Sequence, residues 1–366
     1  PHVHFRDPGM TDKEDFSTGT LAAACGGVTT VLDMPNTLPP SVSTDKLAEK
    51  KEAISRKAWV DYGLFGGCIP GARVEQMAPL VVGFKVFMGS STGRLLVAED
   101  RDLAGIAARV KRTGKVLSVH AEDEGMIRHE TGKALADHLR NRPAAAEVSA
   151  IRRLSSLDCP INVCHVSSAE GLQALESLSF TTEVTAHHML LDRDSEGGAY
   201  LKVNPPLRTK EDRLALFQAF VSGRIDMLGS DHAPHTIEEK EQEFDVAPSG
   251  VPGVETTVPM MLAFMKRGTL PMEVLVSAMA EKPASRFNLN KGRLEVGRDA
   301  DLMVIDPRAA APIKVNYLHS KCGWTPFEGR EAIFPRMVFV RGELVVEDGE
   351  PAGERAGRDV VAAERS

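Results

Sequence analysis

The chain has 366 residues, 42% of them hydrophobic, with a formal charge of -7, which is enough for one large domain with a sizeable core and one small one. The negative balance and the lack of any basic cluster interleaved with aromatics exclude a nucleic-acid surface, and no apolar run is long enough to span a bilayer. Cys25, Cys68, Cys159, Cys164 and Cys322 form no CxxC pair, so they read as reduced thiols of a cytoplasmic protein rather than a disulfide framework.

The chain opens at Pro1, with no methionine and already inside a strand, so an upstream segment is expected to be missing. In His2-Val3-His4-Phe5 two imidazoles stand two positions apart. On an extended strand they share one face and can grip one divalent ion. Further strand-like runs follow at 28–34, 59–66, 80–88, 115–120, 160–166, 179–185 and 225–230, making eight in all. Stretches such as 99–112, 144–156 and 210–222 repeat apolar residues at three and four and read as helices. Strand alternating with helix means a parallel sheet.

Most of these runs end in a residue able to hold a metal or touch a substrate: Lys85, His120, His165, and finally Asp231 with His232 and His235 close behind. A closed barrel gathers its strand ends at one mouth. The expected fold is therefore an α/β, TIM-type (β/α)8 barrel, because an open doubly wound sheet does not explain ligands spread from the first run to the last. Beyond it, 292–306 alternates turn and strand signals and 336–347 reads as a hairpin around Arg341-Gly342-Glu343. The expected division is a barrel over 1–290, a small β appendage over 291–350 and a disordered tail over 351–366.

Several residues near these motifs take plainer readings. A His-x-His strand alone is more often an accident than a metal site; the ordered addition of Lys85, His120, His165 and Asp231 is what carries the metal reading. Glu183, His187 and His188 are expected to make structural hydrogen bonds. Cys164 is expected to face away from the ligands as a small core residue, and His129, His138 and His319 to be solvated. The charged stretch 238–243 reads as exposed, with Lys240 structural, and 88–93 either as a flap closing over substrate through Ser91 or Thr92, the favoured reading, or as an ordinary turn.

Taken in order, the motifs resemble those of the dihydroorotases, a branch of the amidohydrolase superfamily. The matching blocks are His2-Val3-His4-Phe5-Arg6-Asp7-Pro8-Gly9, Met34-Pro35-Asn36-Thr37, Gly83-Phe84-Lys85, His120-Ala121-Glu122, Cys164-His165-Val166-Ser167, Lys202-Val203-Asn204-Pro205-Pro206-Leu207-Arg208, Gly229-Ser230-Asp231-His232-Ala233-Pro234-His235, Pro252-Gly253-Val254-Glu255-Thr256 and Trp324-Thr325-Pro326-Phe327-Glu328-Gly329. Each is weakly specific alone, but the ordered set is specific. The resemblance implies two zinc ions per subunit bridged by a carbamylated Lys85. It assigns His2, His4 and Asp231 to the more buried ion, and His120 and His165 to the other. Asp231 is implied as general acid and base, Arg6, Asn36 and His235 as binders of the substrate carboxylate, and Asn204 with the backbone near Pro252-Gly253 as holders of the ring amides.

The implied reaction is the reversible cyclisation of N-carbamoyl-L-aspartate to dihydroorotate in pyrimidine synthesis. Bound divalent ions lower the pKa of water from about 15.7 toward 7. Allantoinases and hydantoinases are the nearest alternatives. Allantoinases, however, tend to carry Cys-Ala-Pro-Pro where Val203-Asn204-Pro205-Pro206 stands and Ser-Pro-Cys where Ala233-Pro234-His235 stands. An inactive scaffold for aspartate transcarbamoylase is a further alternative, disfavoured because every ligand is retained. The resemblance admits a homodimer and a complex with that transferase as assemblies. In relatives, strands preceding the barrel complete a composite β-sandwich, of which this chain holds the C-terminal part.

Overall fold

The computed structural model describes residues 1–363 except Thr92 and Arg94. Seven parallel strands pair with their neighbours in chain order: β1 (Thr30–Asp33), β2 (Asp61–Gly67), β3 (Gly83–Phe87), β4 (Val116–His120), β5 (Ile161–Val163), β6 (Thr181–Thr185) and β7 (Met227–Gly229). The first apolar run contributes one residue to the sheet. Val3 bridges Asp33 at the end of β1 on one side and His232 beyond β7 on the other. Val3 N–H donates to Leu32 O at 3.2 Å, Met34 N–H to Val3 O at 2.9 Å, and His4 N–H to His232 O at 2.8 Å. The barrel is thereby closed, with its first position reduced from a strand to a bridge. Arg6, at φ 62, ends the extended run there, since left-handed backbone cannot continue a strand.

Parallel strands enclosed by helices are buried on both faces, and all seven residues of β2 are buried. Leu64, Phe84, Val86, Leu117, Val119, Val163 and Val184 belong to one apolar core beneath the surrounding helices. The helices stand close to the periodic stretches. Asp100–Thr113 buries Leu103, Ile106, Ala107 and Val110, starts with Asp100 and Asp102, and ends with Lys111, Arg112 and the left-handed Gly114 (φ 69). The charges oppose the helix dipole and the glycine accepts the terminal turn without Cβ strain. Ala144–Leu154 and Lys210–Val221 occupy the other two stretches, the latter opened by a Thr209–Asp212 capping box.

The C-terminal region forms a four-stranded antiparallel sheet, ordered β13-β12-β11-β8, from β8 (Leu302–Val304), β11 (Met337–Val340), β12 (Glu343–Glu347) and β13 (Glu350–Pro351). A separate pair joins β9 (Ala311–Pro312) to β10 (Glu331–Ala332). The hairpin turns at Arg341 (φ 49) and Gly342 (φ 84), both left-handed as a type I′ turn needs. The expectation of a disordered tail fails through residue 363. Gly357 N–H donates to Ala58 O, Tyr62 N–H to Arg358 O, and Arg358 N–H to Asp61 Oδ1. Val360 and Val361 bury against the apolar group of Leu32, Phe65 and Phe287. The Gly, Ala, Arg and Glu around them hid this valine pair. Among the described residues no helix is long and apolar enough to cross a membrane.

Candidate metal centre and active site

At the C-terminal ends of the strands lies a cavity lined by His2, His4, Arg6, Asn36, Lys85, His120, His165, Asn204 and Asp231. Every site residue expected from the sequence is in this lining except His235, which touches it through Arg6. His2 Nε2, His4 Nε2 and Asp231 Oδ1 form a nearly equilateral triangle, with separations of 3.2, 3.2 and 3.1 Å. Ligands about 2.0–2.1 Å from a shared tetrahedral ion stand roughly 3.3 Å apart. The opposite ring nitrogens are engaged: His2 Nδ1 with Glu183 Oε1 and His4 Nδ1 with Asn36 Oδ1, each at 2.6 Å. Each Nδ1 thus carries the proton and leaves the Nε2 lone pair facing inward, the usual support of a metal-bound imidazole.

A second pair lies beside the first. His120 Nδ1 is 3.1 Å from His165 Nε2, while His120 Nε2–H donates to Glu122 Oε2 at 2.8 Å. Glu122 is clamped by Arg142, whose Nη2 donates to it at 2.6 Å and to the carbonyl of Ser90, beside the cavity-lining Ser91, at 2.8 Å. Burial alone would raise the Glu122 pKa, but Arg142 and His120 hold it well below the usual carboxylate range. Burial also pushes His2 down, yet Glu183 and Asp231 outweigh it and raise this imidazole to about 9. In the metal-free state His2 therefore holds a proton that a divalent ion would displace.

Lys85 Nζ is buried and donates to Cys164 Sγ at 3.1 Å. This corrects the outward placement expected for Cys164. Along β5 the thiol shares its face with Asn162, while His165, at φ 36, reaches the mouth by leaving the extended conformation. Arg6, His165 and Asp231 (φ 44) are all left-handed at the cavity. Strained backbone of this kind persists at sites whose surroundings over-determine it.

Glu183 serves as a hydrogen-bond partner of His2 and of the His165 N–H. His188 bridges Thr185 and Pro205 O. His187 Nε2 is buried and makes no hydrogen bond to any described residue. The solvated reading holds for His129, which is 69% exposed, and fails for two others. His319 pairs with Glu255, and His138 Nε2–H donates to Val203 O and Asn204 Oδ1, both at 2.9 Å. Lys240 is buried within its otherwise exposed stretch and donates to Pro248 O and Gly250 O, while Lys202 donates to Phe244 O and Ala247 O. These two lysines hold the 244–250 loop, whose Ser249 and Gly250 wall the cavity. Of the expected flap contacts, Ser91 lines the cavity and Thr92 lies outside the described residues.

Residues 1–345 match the model of the amidohydrolase family. The chain belongs to this family. Its curated amidohydrolase relatives include the dihydroorotase of Methanosarcina mazei, 41% identical over 94% of this chain and 81% of the relative. The dihydroorotase of Halobacterium salinarum is 40% identical over 98% and 87%. Among solved amidohydrolase structures, the L-hydantoinase (dihydropyrimidinase) from Arthrobacter aurescens superimposes with a TM-score of 0.92 at 33% identity, covering 98% of this chain and 86% of that one. A dihydropyrimidinase from Brevibacillus agri gives 0.87 at 27%, over 99% and 86%.

Membership implies a metal cofactor, and the triangle of His2, His4 and Asp231 fits one. Sequence reasoning quoted Glu122 only as part of a motif and missed Arg142. A carboxylate two residues beyond a ligand histidine was the available signal for the first, and nothing local pointed to the second. Arg142→Met should destabilise the protein by about 3–5 kcal/mol in urea unfolding, because Glu122 would be left buried and unpaired. Metal affinity should drop roughly 10–100-fold as His120 loses its support.

His138 gives a pH prediction. Burial, helped by Arg142, lowers its pKa to about 4. Between pH 6.5 and about 4 the unfolded chain binds a proton that the folded one refuses, so stability is lost as pH falls through that window. The loss amounts to at most about 3 kcal/mol. His138→Gln keeps a donor to Asn204 and should show a shallower decline of melting temperature over the same range.

Proposed function

We infer that the protein is a dihydroorotase, a hydrolase of cyclic amides that interconverts N-carbamoyl-L-aspartate with dihydroorotate and water. One observation separates this reading from hydantoin or allantoin hydrolysis. Arg6 is buried, lines the cavity, and has only Pro234 O and His235 Nε2 as hydrogen-bond partners, with no carboxylate in ion-pair range among the described residues. A buried guanidinium asks for an anion in bidentate contact. Dihydroorotate brings a carboxylate and hydantoin does not.

In the hydrolytic direction Arg6 holds the substrate carboxylate, and His235, kept neutral by burial (pKa lowered to about 3), fixes the guanidinium. Asn204, steadied by His138, meets the ring amide. Bound metal, held by His2, His4, Asp231, His120, His165 and Lys85, supplies a polarised amide carbonyl and water whose pKa falls from about 15.7 toward 7. Asp231 takes the proton from the attacking water and passes it to the ring nitrogen as the carbon–nitrogen bond breaks. Cyclisation uses the same groups in reverse.

We assign two zinc ions to the nitrogen and oxygen donors, and a carbamate to Lys85, since an ammonium cannot ligate a cation. Support comes from the burial of Lys85 without a carboxylate hydrogen-bond partner among the described residues. Thiols without disulfide partners suit a cytoplasmic setting. We place the barrel and its site in 1–290 and the C-terminal half of a β-sandwich in 291–350. We carry a homodimer and a complex with aspartate transcarbamoylase as assemblies, to be tested by sedimentation of the protein alone and mixed with the transferase.

The deciding experiment compares dihydroorotate, hydantoin and allantoin as substrates of metal-loaded protein. Turnover of dihydroorotate, lost in Arg6→Met mainly through a higher KM, is the expected result. Turnover of hydantoin or allantoin in its place would overturn the substrate, and folded, metal-loaded protein inert to all three would point to the scaffold.

A further inference from the structure

Away from the catalytic cavity, three parts of the chain distant in sequence converge on a small group of donors. Cys25 ends the helix Phe16–Cys25, Glu255 lies just before the helix Thr257–Lys266, and His319 belongs to the segment preceding β10. We propose that Cys25 and His319, with Glu255 as the positioning carboxylate and Glu350 at the rim, form a second metal site for a thiophilic divalent cation of the zinc type, joining the C-terminal sheet to the barrel.

The geometry of His319 carries the argument. Its Nδ1–H donates to Glu255 Oε1 at 2.7 Å, and the other oxygen of Glu255 accepts the His319 backbone N–H at 2.8 Å. Held at two points, the ring has one tautomer and one orientation, and its Nε2 lone pair faces Cys25 Sγ at 3.9 Å. A carboxylate on the far nitrogen is how proteins commonly orient a metal-bound histidine. The separation is long for a useful hydrogen bond. It lies near the roughly 3.6 Å expected between sulfur and nitrogen ligands at about 2.3 and 2.0–2.1 Å from one tetrahedral ion.

Donor atoms of Cys25, Glu255 and His319 all fall within 4.8 Å of one another. The thiol also meets Gly349 O at 3.6 Å in the turn between β12 and β13. The neighbouring Glu350 is exposed, and its charge bears on both Cys25 and His319. The site is therefore walled on the protein side by a buried thiol and opens toward solvent at His319, whose side chain is 18% exposed. Sulfur with imidazole selects zinc, cobalt or cadmium over magnesium or calcium. On binding, the Cys25 S–H bond breaks, its proton leaves to water, and a sulfur–metal bond forms.

Cobalt(II) or cadmium(II) titrated into the holoenzyme reads this directly, because a thiolate ligand produces a charge-transfer band that nitrogen and oxygen ligands do not. The expected result is a saturable band in the wild type and in Cys164→Ser, the variant of the thiol beside Lys85. The band should be absent in Cys25→Ser and need at least tenfold more metal in His319→Gln. Dihydroorotate turnover should be unchanged in Cys25→Ser. Cadmium should raise the melting temperature of the wild type more than that of Cys25→Ser, or of Cys25→Ala if the serine variant folds poorly. No band in the wild type with cobalt in excess, or a band that survives in Cys25→Ser, overturns the proposal.

Discussion

Dihydroorotate turnover should fall roughly a thousandfold or more in Lys85→Ala, equivalent to about 4 kcal/mol of transition-state stabilisation. Lys85 lines the same cavity as His2, His4 and Asp231 on the one hand and His120 and His165 on the other, and its charge disfavours protonation of His2, His120 and His165. An alanine leaves both groups intact and removes the proposed link between them. Metal analysis should show loss of at least one ion per subunit. Isotopically labelled bicarbonate should give a carbamate resonance in the wild type that the variant lacks. Full metal content with full activity in Lys85→Ala would sink the bridging role.

Asp231→Asn should lower kcat by about three orders of magnitude, within the range of a lost general acid and base, while KM changes little. The substitution isolates the chemistry unusually well. Asparagine tolerates the left-handed backbone that Asp231 adopts at φ 44, and its amide oxygen occupies the same volume. What it cannot do is accept and return a proton. Burial would by itself raise the Asp231 pKa, but His2 and His4 hold it well below the usual carboxylate range, so the wild-type group is ionised throughout the neutral region. A variant with normal metal content and normal kcat would transfer the proton-carrying role elsewhere.

The gathering of the candidate ligands was legible because barrel geometry converts strand order into proximity. Once His2, His4, Lys85, His120, His165 and Asp231 are placed at strand ends, only one meeting point exists. Helices with clear periodicity, such as Asp100–Thr113, were legible for the same kind of reason. What strand alternation could not supply was the side on which Cys164 falls relative to His165, because a single left-handed residue changes the phase. Nor could local sequence show that Glu122 is neutralised by Arg142, or that His138 and His319 are tied to Asn204 and Glu255, since those partners are set by how loops pack. The tail up to residue 363 was misread from composition, which averages over the two valines that anchor it.

The bridge at Val3 has a consequence for how the molecule opens. A barrel closed elsewhere by strands of three residues or more is joined here by one, and that residue lies between His2 and His4. Its support is a short chain of bonds: Phe5 N–H to Asp33 Oδ1 at 2.9 Å, and Asp33 Oδ2 to the buried Lys50. The zip of this cylinder is thus fastened by the backbone that carries the two imidazoles proposed to grip the cation. Amide protons of Val3, His4 and Met34 should exchange fastest among the barrel bonds when chelator is present, and slow together when metal is restored, so that filling the catalytic centre and sewing the barrel shut become one cooperative act.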